Sequence, residues 1–344
     1  MKRLNQPDMK KNIPKFLVLA TIFIVCSAAD ITFRVLLPAY VEIPKHISTI
    51  AIIDRSVPDD ETLNIIEGGL TGEGIGQDKL GTQTTLKGLT DMLQNSVKFT
   101  VIRTNVAMIG QDILSAAFPE PIPWSEIEKI CNEYKADAII SLEKYDSDFI
   151  PTGGSLGEGT SFAVHGVASV KIGFRLYDLA NKSIIDEHLF SHTMNWDAGG
   201  GTILDAVGAL MQKNNAIRDV SYDAGFVYGK RISPSFYYIT RYYYRHAKGD
   251  DNLAEGARMM EANDWDAAIE ALNRALETGR HRKVKGRAAH DLAVVYEILG
   301  DLGKAREYAQ MAWGKYKTRQ SQDYGFVLNE RIKEQEVLNY QLEE

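Results

Sequence analysis

Asp264-Trp265-x-x-Ala268-x-x-x-Leu272-x-x-Ala275-Leu276 and Asp301-Leu302-x-x-Ala305-x-x-x-Ala309-x-x-Ala312-Trp313 are two copies of one pattern, 37 residues apart. Each opens on Asp. Each continues with small and large apolar residues three and four apart, the spacing of one helix face. The match extends into the segment before each Asp, where Gly256 corresponds to Ala293 and Met259 to Tyr296. The unit is therefore a pair of helices, with small residues where backbones approach and large ones filling the gap. Such a pair buries its apolar face only by stacking on a neighbour.

This pattern resembles the tetratricopeptide repeat. The resemblance implies a concave protein-binding surface formed mainly by the first helix of each pair, at 252–262 and 287–299. There Arg258, Glu261, Asp291 and Glu297 fall between the packing positions and are the expected partner contacts. The usual period is about 34 residues, and the longer offset is assigned to a longer loop at Gly279-Arg280-His281-Arg282-Lys283. A final helix carrying Ile332, Val337, Leu338 and Leu342 would close the array. Ahead of it, Ser235 to Arg245 crowds aromatics with Arg. Tyr237, Arg241, Tyr243 and Arg245 are of the residue types enriched at interface hot spots, and they equally suit a strand or helix that wedges two domains together. The basic run Arg280 to Arg287 reads as a solvated connector, with an anionic surface partner as the alternative.

At the other end, Lys2, Arg3, Lys10, Lys11 and Lys15 precede an uncharged apolar run, Phe16 to Val25, and then Cys26. A membrane-spanning helix needs roughly 20 apolar residues; this run is shorter and Asp30 and Arg34 follow, which predicts a signal peptide. Lipidation at Cys26 competes with cleavage after Ala29, and Val25 departs from the small residue that a lipoprotein site prefers. Without residues 1–25 the chain carries 34 basic and 45 acidic side chains, a formal charge of −11, so nucleic acid is not an expected partner. Cys131 is the one other cysteine; a buried core thiol and no intrachain disulfide are expected.

Between these ends the pattern alternates. Thr49–Ile53 reads as a buried strand, followed by a helix from Thr82 to Asn95 with Leu86, Leu89 and Leu93 on one face, and a strand at Phe99–Ile102. Next come a helix from Ser125 to Tyr134, with Ser125 and Glu128 spaced for a capping box, and a strand at Ala138–Leu142. From there the period becomes two: Ala168, Val170, Ile172, Phe174 and Leu176 alternate with Ser169, Lys171, Gly173, Arg175 and Tyr177, and Ile184–Met194 returns as a hairpin. The fold class is α+β: a mixed α/β sandwich domain with a long antiparallel hairpin, then all-α repeats. The element order resembles the periplasmic domains of the curli-secretion lipoprotein, of penicillin-binding-protein-activating lipoproteins and of the N-terminal part of the Tol-system propeller protein. Leu36-Leu37-Pro38-Ala39, Ile43-Pro44, Ile50 to Ser56 and Ala289 to Gly300 together resemble a family of uncharacterised tetratricopeptide-bearing envelope lipoproteins of Gram-negative bacteria, of the Bacteroidetes type. That resemblance implies Cys26 as lipid acceptor and supplies no activity.

The expected organisation is a signal peptide at 1–25, a tether at 26–44, the α/β domain at 45–235, an aromatic connector at 236–250, and repeats with a capping helix at 251–344. Gly68 to Gly76 lacks the Gly-Lys-Ser/Thr of a phosphate loop and starts too far after its strand for a dinucleotide fingerprint, so it reads as a surface loop. His165, His188 and His192, with Glu187 and Asp197 near, invite a metal, but strand residues four apart sit about 13 Å apart. No catalytic residue, metal or cofactor is assigned. The expectation is a non-enzymatic envelope lipoprotein that binds protein partners and touches a membrane through its N-terminal lipid. The alternatives are a periplasmic metal enzyme built on His165, His188 and His192, and a structural subunit of an envelope complex.

Overall fold

The computed structural model describes residues 28–57, 75–110, 118–156, 162–200 and 213–343. Cys26 and the glycine-rich segment as far as Gly74 lie outside these residues. In chain order the elements are β1 (Ala28–Leu37), β2 (Thr49–Val57), α1 (Ile75–Gln94), β3 (Thr100–Ile109), α2 (Trp124–Tyr134), β4 (Ala138–Leu156), β5 (Phe162–Asp178), β6 (Ser183–Gly200), α3 (Lys213–Ile232), β7 (Ser235–Tyr244), α4 (Asp251–Glu261), α5 (Trp265–Thr278), α6 (Arg282–Ile298), α7 (Leu302–Gly314) and α8 (Gln320–Leu342). The fold is α+β. Its described residues divide into a sheet unit, within Thr32–Ile239 with Phe326–Glu344, and a helical unit, Ala28–Ile31 with Thr240–Gly325.

In the sheet unit the strand order is β3-β2-β4-β5-β6. β2 runs parallel to both β3 and β4, and the β4-β5-β6 meander is antiparallel. Ile50 to Ile53 are all buried because β2 is covered on both faces. On one face α1 and α3 lay Leu86, Leu89, Leu93, Val220, Ala224 and Tyr228 over Ile50, Ile52, Ile140 and Phe174, each such Leu or Ile contributing about 1.5–3 kcal/mol. The two helices meet at glycines. A Cβ on Gly88 would fall 2.0 Å from the Tyr222 carbonyl oxygen, and one on Gly225 would fall 2.0 Å from that of Thr85. On the other face α2 packs Ile127, Ile130 and Cys131 against Ala51, Ile53, Ile139 and Tyr177. Burial pushes the Cys131 thiol up to about 11, as suits a core thiol.

Several expectations change. β5 is half-buried only in its first part: Lys171 is exposed, whereas Arg175 and Tyr177 are buried because residues 118–122 and α2 cover the outer face there. The capping box does not form. α2 starts at Trp124 with Pro123 as its cap and no side-chain cap bond, which puts Ser125 inside the first turn. Residues 28–37, expected as part of the tether, are strand β1 paired with β7, consistent with the alternation of Ile31, Phe33 and Val35. α3 was not anticipated.

In the helical unit, three helices open on carboxylates whose capping role the reading of the sequence did not single out. Asp250 accepts from Leu253 N at 3.0 Å, Asp264 from Ala267 N at 3.1 Å and Asp301 from Lys304 N at 3.0 Å. The residue before each matched cap takes the left-handed conformation that turns one helix into the next, Asn263 at φ 58 and Gly300 at φ 81. Ala268, Ala271, Ala275, Ala305, Ala309 and Ala312 are fully buried, and the vacant Cβ position of Gly256 lies 2.6 Å from Leu272 Cγ. The extra length of the period is not in the loop. Only Gly279 to His281 separate α5 from α6, and α6 runs 17 residues against 11 for α4. The closing helix α8 contributes its first residues to this unit. From Phe326 onward it belongs to the sheet unit, where Gln341 exchanges hydrogen bonds with Ala39 N and O at 2.8 and 2.9 Å. No described helix is long and apolar enough to cross a membrane.

Candidate functional site

α6 is the central helix of its unit and is buried along most of its length, yet it carries Arg287, His290, Asp291 and Glu297 among its buried residues. These side chains hold the Arg241–Tyr244 stretch. Tyr244 N donates to Asp291 Oδ1 at 2.9 Å, and His290 Nε2 meets the Tyr242 carbonyl at 3.0 Å. Arg241 donates two parallel bonds to Glu297, at 2.7 and 2.8 Å, and Tyr324 OH donates a third at 2.6 Å. Backbone groups taken from water must find partners, and here side chains of a helix supply them.

Burial sets the protonation of this row. It pulls His290 down to about 4 against the opposing Tyr242 carbonyl. The ring is therefore neutral at pH 7, with its proton on Nε2 toward Tyr242 and Nδ1 accepting from Ser321 Oγ at 2.8 Å. Burial pushes Asp291 well above the usual carboxylate range, opposed by the Tyr244 amide and the Arg287 charge.

Asp291 and Glu297, expected as partner contacts, are thus internal at 0% and 3% exposure. Their packing demand comes from a strand some fifty residues earlier, which helix spacing alone does not reveal. Arg241 and Tyr243 also turn inward, Tyr243 OH donating to Glu261 at 2.8 Å. Glu261 is exposed but engaged, since Arg245 Nε lies 2.9 Å from it as well. Arg258 is exposed on α4. Tyr237 lies in the sheet unit with the Lys230 ammonium 4.4 Å from its ring centre.

The three histidines weighed for a metal do not converge. His165 Nδ1 meets Asp197 at 2.6 Å, His192 Nε2 meets Asp223 at 2.7 Å, and His188 stacks on Phe190 at 5.0 Å. Burial, then the Arg231 charge, hold His188 below its ordinary value. A buried polar cluster that sequence reading missed lies under residues 118–122. Arg55 pairs with Glu143 at 2.9 Å and donates to the Glu120 carbonyl, while Tyr177 OH donates to the other Glu143 oxygen at 2.9 Å. Burial raises Glu143 against the pull of Arg55. Arg55 and Tyr177 both hold Glu143 and both bond to backbone of residues 118–122, so the cluster reads as a clamp on that segment. The basic run at 280–287 is not a solvated connector throughout: Arg282, Lys283 and Arg287 line a pocket of 620 Å³ together with residues 316–320.

Comparison with known proteins places two family models on the chain. Residues 47–244 match the domain of unknown function DUF8603, and residues 254–342 match the domain of unknown function DUF6340. No curated protein matches. Among solved structures, the chain is similar to a minor lipoprotein from Acinetobacter baumannii, at 10% identity over 56% of this chain and 98% of that one, TM-score 0.27. It is also similar to the uncharacterized lipoprotein B from Nitrosomonas europaea, at 13% identity over 57% and 86%, TM-score 0.23. A third is a homolog of neuraminyllactose-binding hemagglutinin from Helicobacter pylori, at 12% identity over 54% and 80%, TM-score 0.27. Likeness at these scores assigns no function.

Proposed function

The chain belongs to the DUF8603 family of domains of unknown function, and from that membership, which carries no assigned activity, we propose a non-enzymatic, exported, lipid-anchored protein of the cell envelope whose helical unit binds a protein partner. The observation that carries the reading is the equivalence of the two helical hairpins. They share the Asp264 and Asp301 caps, the left-handed Asn263 and Gly300, and the alanine seams, features that fit stacked tetratricopeptide units. Stacked helix pairs of this kind present extended binding surfaces. Because α6 spends Asp291 and Glu297 on its own chain, the partner surface centres on α4, at Arg258 and the Glu261–Arg245 edge. Anchoring runs through Cys26 at the outer membrane, facing the periplasm.

Charge reversal of Arg258→Glu with Glu261→Lys is expected to abolish crosslinking to the main partner. Glu261→Lys also removes the acceptor of Tyr243 OH and the partner of Arg245, so Arg258→Glu alone is the stability control: its melting temperature should hold, since exposed substitutions of this kind change stability by about 0.5 kcal/mol or less. Retained crosslinking would move the binding surface off α4. Metabolic labelling with a fatty-acid analogue should tag the wild type and not Cys26→Ala; equal labelling of both would remove the anchor.

A further inference from the structure

In a chain of formal charge −7, five cationic side chains, Arg282, Lys283, Arg287, Lys317 and Arg319, line the 620 Å³ pocket of the helical unit, and no carboxylate lines it with them. Like charges gathered on one surface repel, and neighbouring acids ordinarily relieve that. Among the described residues Arg282, Lys283, Lys317 and Arg319 make no ion pair. The pocket is nonetheless firmly built. α6 touches the α7–α8 connection at Gly286, where a Cβ would lie 2.2 Å from Thr318 Oγ1 and 2.9 Å from Tyr316 Cβ. Arg282 Nε donates to the Tyr316 carbonyl at 2.9 Å, Tyr244 OH donates to Gln320 Oε1 at 2.7 Å, and the Arg287 guanidinium sits 4.6 Å over the Tyr244 ring. Lys317 holds a left-handed backbone, φ 55, a conformation that L-residues rarely adopt. The first residues of α6 and α8 both line the pocket, which adds the positive ends of two helices.

A single carboxylate would leave most of the charge of Arg282, Lys283, Lys317 and Arg319 unmatched. A phosphate monoester brings about 1.5 to 2 negative charges and three strong acceptor oxygens, suited to guanidinium forks and Lys point charges. The volume is that of a small-molecule site and exceeds what a bare inorganic anion fills, while tyrosine rings supply an apolar side. We infer that this pocket binds a small sugar- or polyol-like ligand carrying two or more phosphate groups, either free or as the headgroup of a lipid. The pocket shares no lining residue with the Arg258, Glu261 and Arg245 surface, so failure of partner crosslinking there leaves the inference untouched.

The test is calorimetric titration of the full chain in detergent with fructose 1,6-bisphosphate and with short-chain phosphatidylinositol 4-phosphate, using fructose and citrate as controls. At least one phosphorylated probe should bind at least about tenfold more tightly than citrate, fructose should not bind, and added salt should weaken the complex. Tighter binding of the bisphosphate would indicate a free ligand, and tighter binding of the lipid a headgroup; either upholds the site. The exposed pair Lys317→Gln with Arg319→Gln should weaken binding by about tenfold or more at an unchanged melting temperature. Equal affinity for citrate would point to a carboxylate-rich protein surface instead and overturn the inference, as would unchanged binding by the double variant or no binding of either phosphorylated probe.

Discussion

His290 shows how one buried side chain ties the stability of the helical unit to pH. Its folded value is about 4, whereas the unfolded chain takes up a proton near 6.5. Neutral His290 therefore contributes stability that is fully present above about 6.5 and is lost as pH falls toward about 4, in total about 3 kcal/mol. The adjacent Asp291, raised by burial, acts with the opposite sign, because acid neutralises it. A His290→Gln variant keeps one polar side chain against the Tyr242 carbonyl and removes the protonation step, so the thermal midpoint of the wild type should fall more steeply than that of the variant between pH 7 and 4.5. Parallel curves would mean that His290 is not held neutral. At this scale the sequence was legible where burial follows periodicity, as for Leu86, Leu89, Leu93 and Cys131. It was not legible where a charged residue serves a distant strand, as Asp291 and Glu297 do: a carboxylate between packing positions looks solvated until its partner backbone is placed beside it.

Among the elements, the strands and most helices could be read from their periods of two and 3.6. The parallel pairing of β2 and the β5–β6 hairpin follow the expected order. α3 escaped because its packing rests partly on small residues, Ala216, Ala224 and Gly225, that carry little hydrophobic signal. Those same residues let it lie against α1. Gly225→Ala would press a methyl into the Thr85 carbonyl and should cost about 1–3 kcal/mol by overpacking. In the helical unit, Ala305→Leu at a fully buried seam should cost a similar amount, about 1–3 kcal/mol. Chemical denaturation with a separate probe in each unit would check both. An unchanged midpoint for Gly225→Ala would contradict the close α1–α3 approach, and one for Ala305→Leu would contradict the seam.

For the whole molecule, the division into an α/β part and a helical part was visible in the change of period, and both parts match family models without assigned functions. What the sequence could not convey is how the helical unit uses its polar residues. α6 turns its acids inward to hold Arg241–Tyr244, which leaves α4 as the face on which the proposed partner binding rests. The basic pocket became visible only when Arg282 and Lys283 were brought together with Lys317 and Arg319 across some thirty-five residues of chain. The most direct measurement is in-cell photocrosslinking with a photoreactive residue in place of Arg258 on α4, beside a control in place of the exposed Glu270 on α5. Partner binding through α4 predicts a discrete protein adduct from position 258 that is weak or missing from position 270. No adduct from position 258, or the same adducts from both positions, would contradict it.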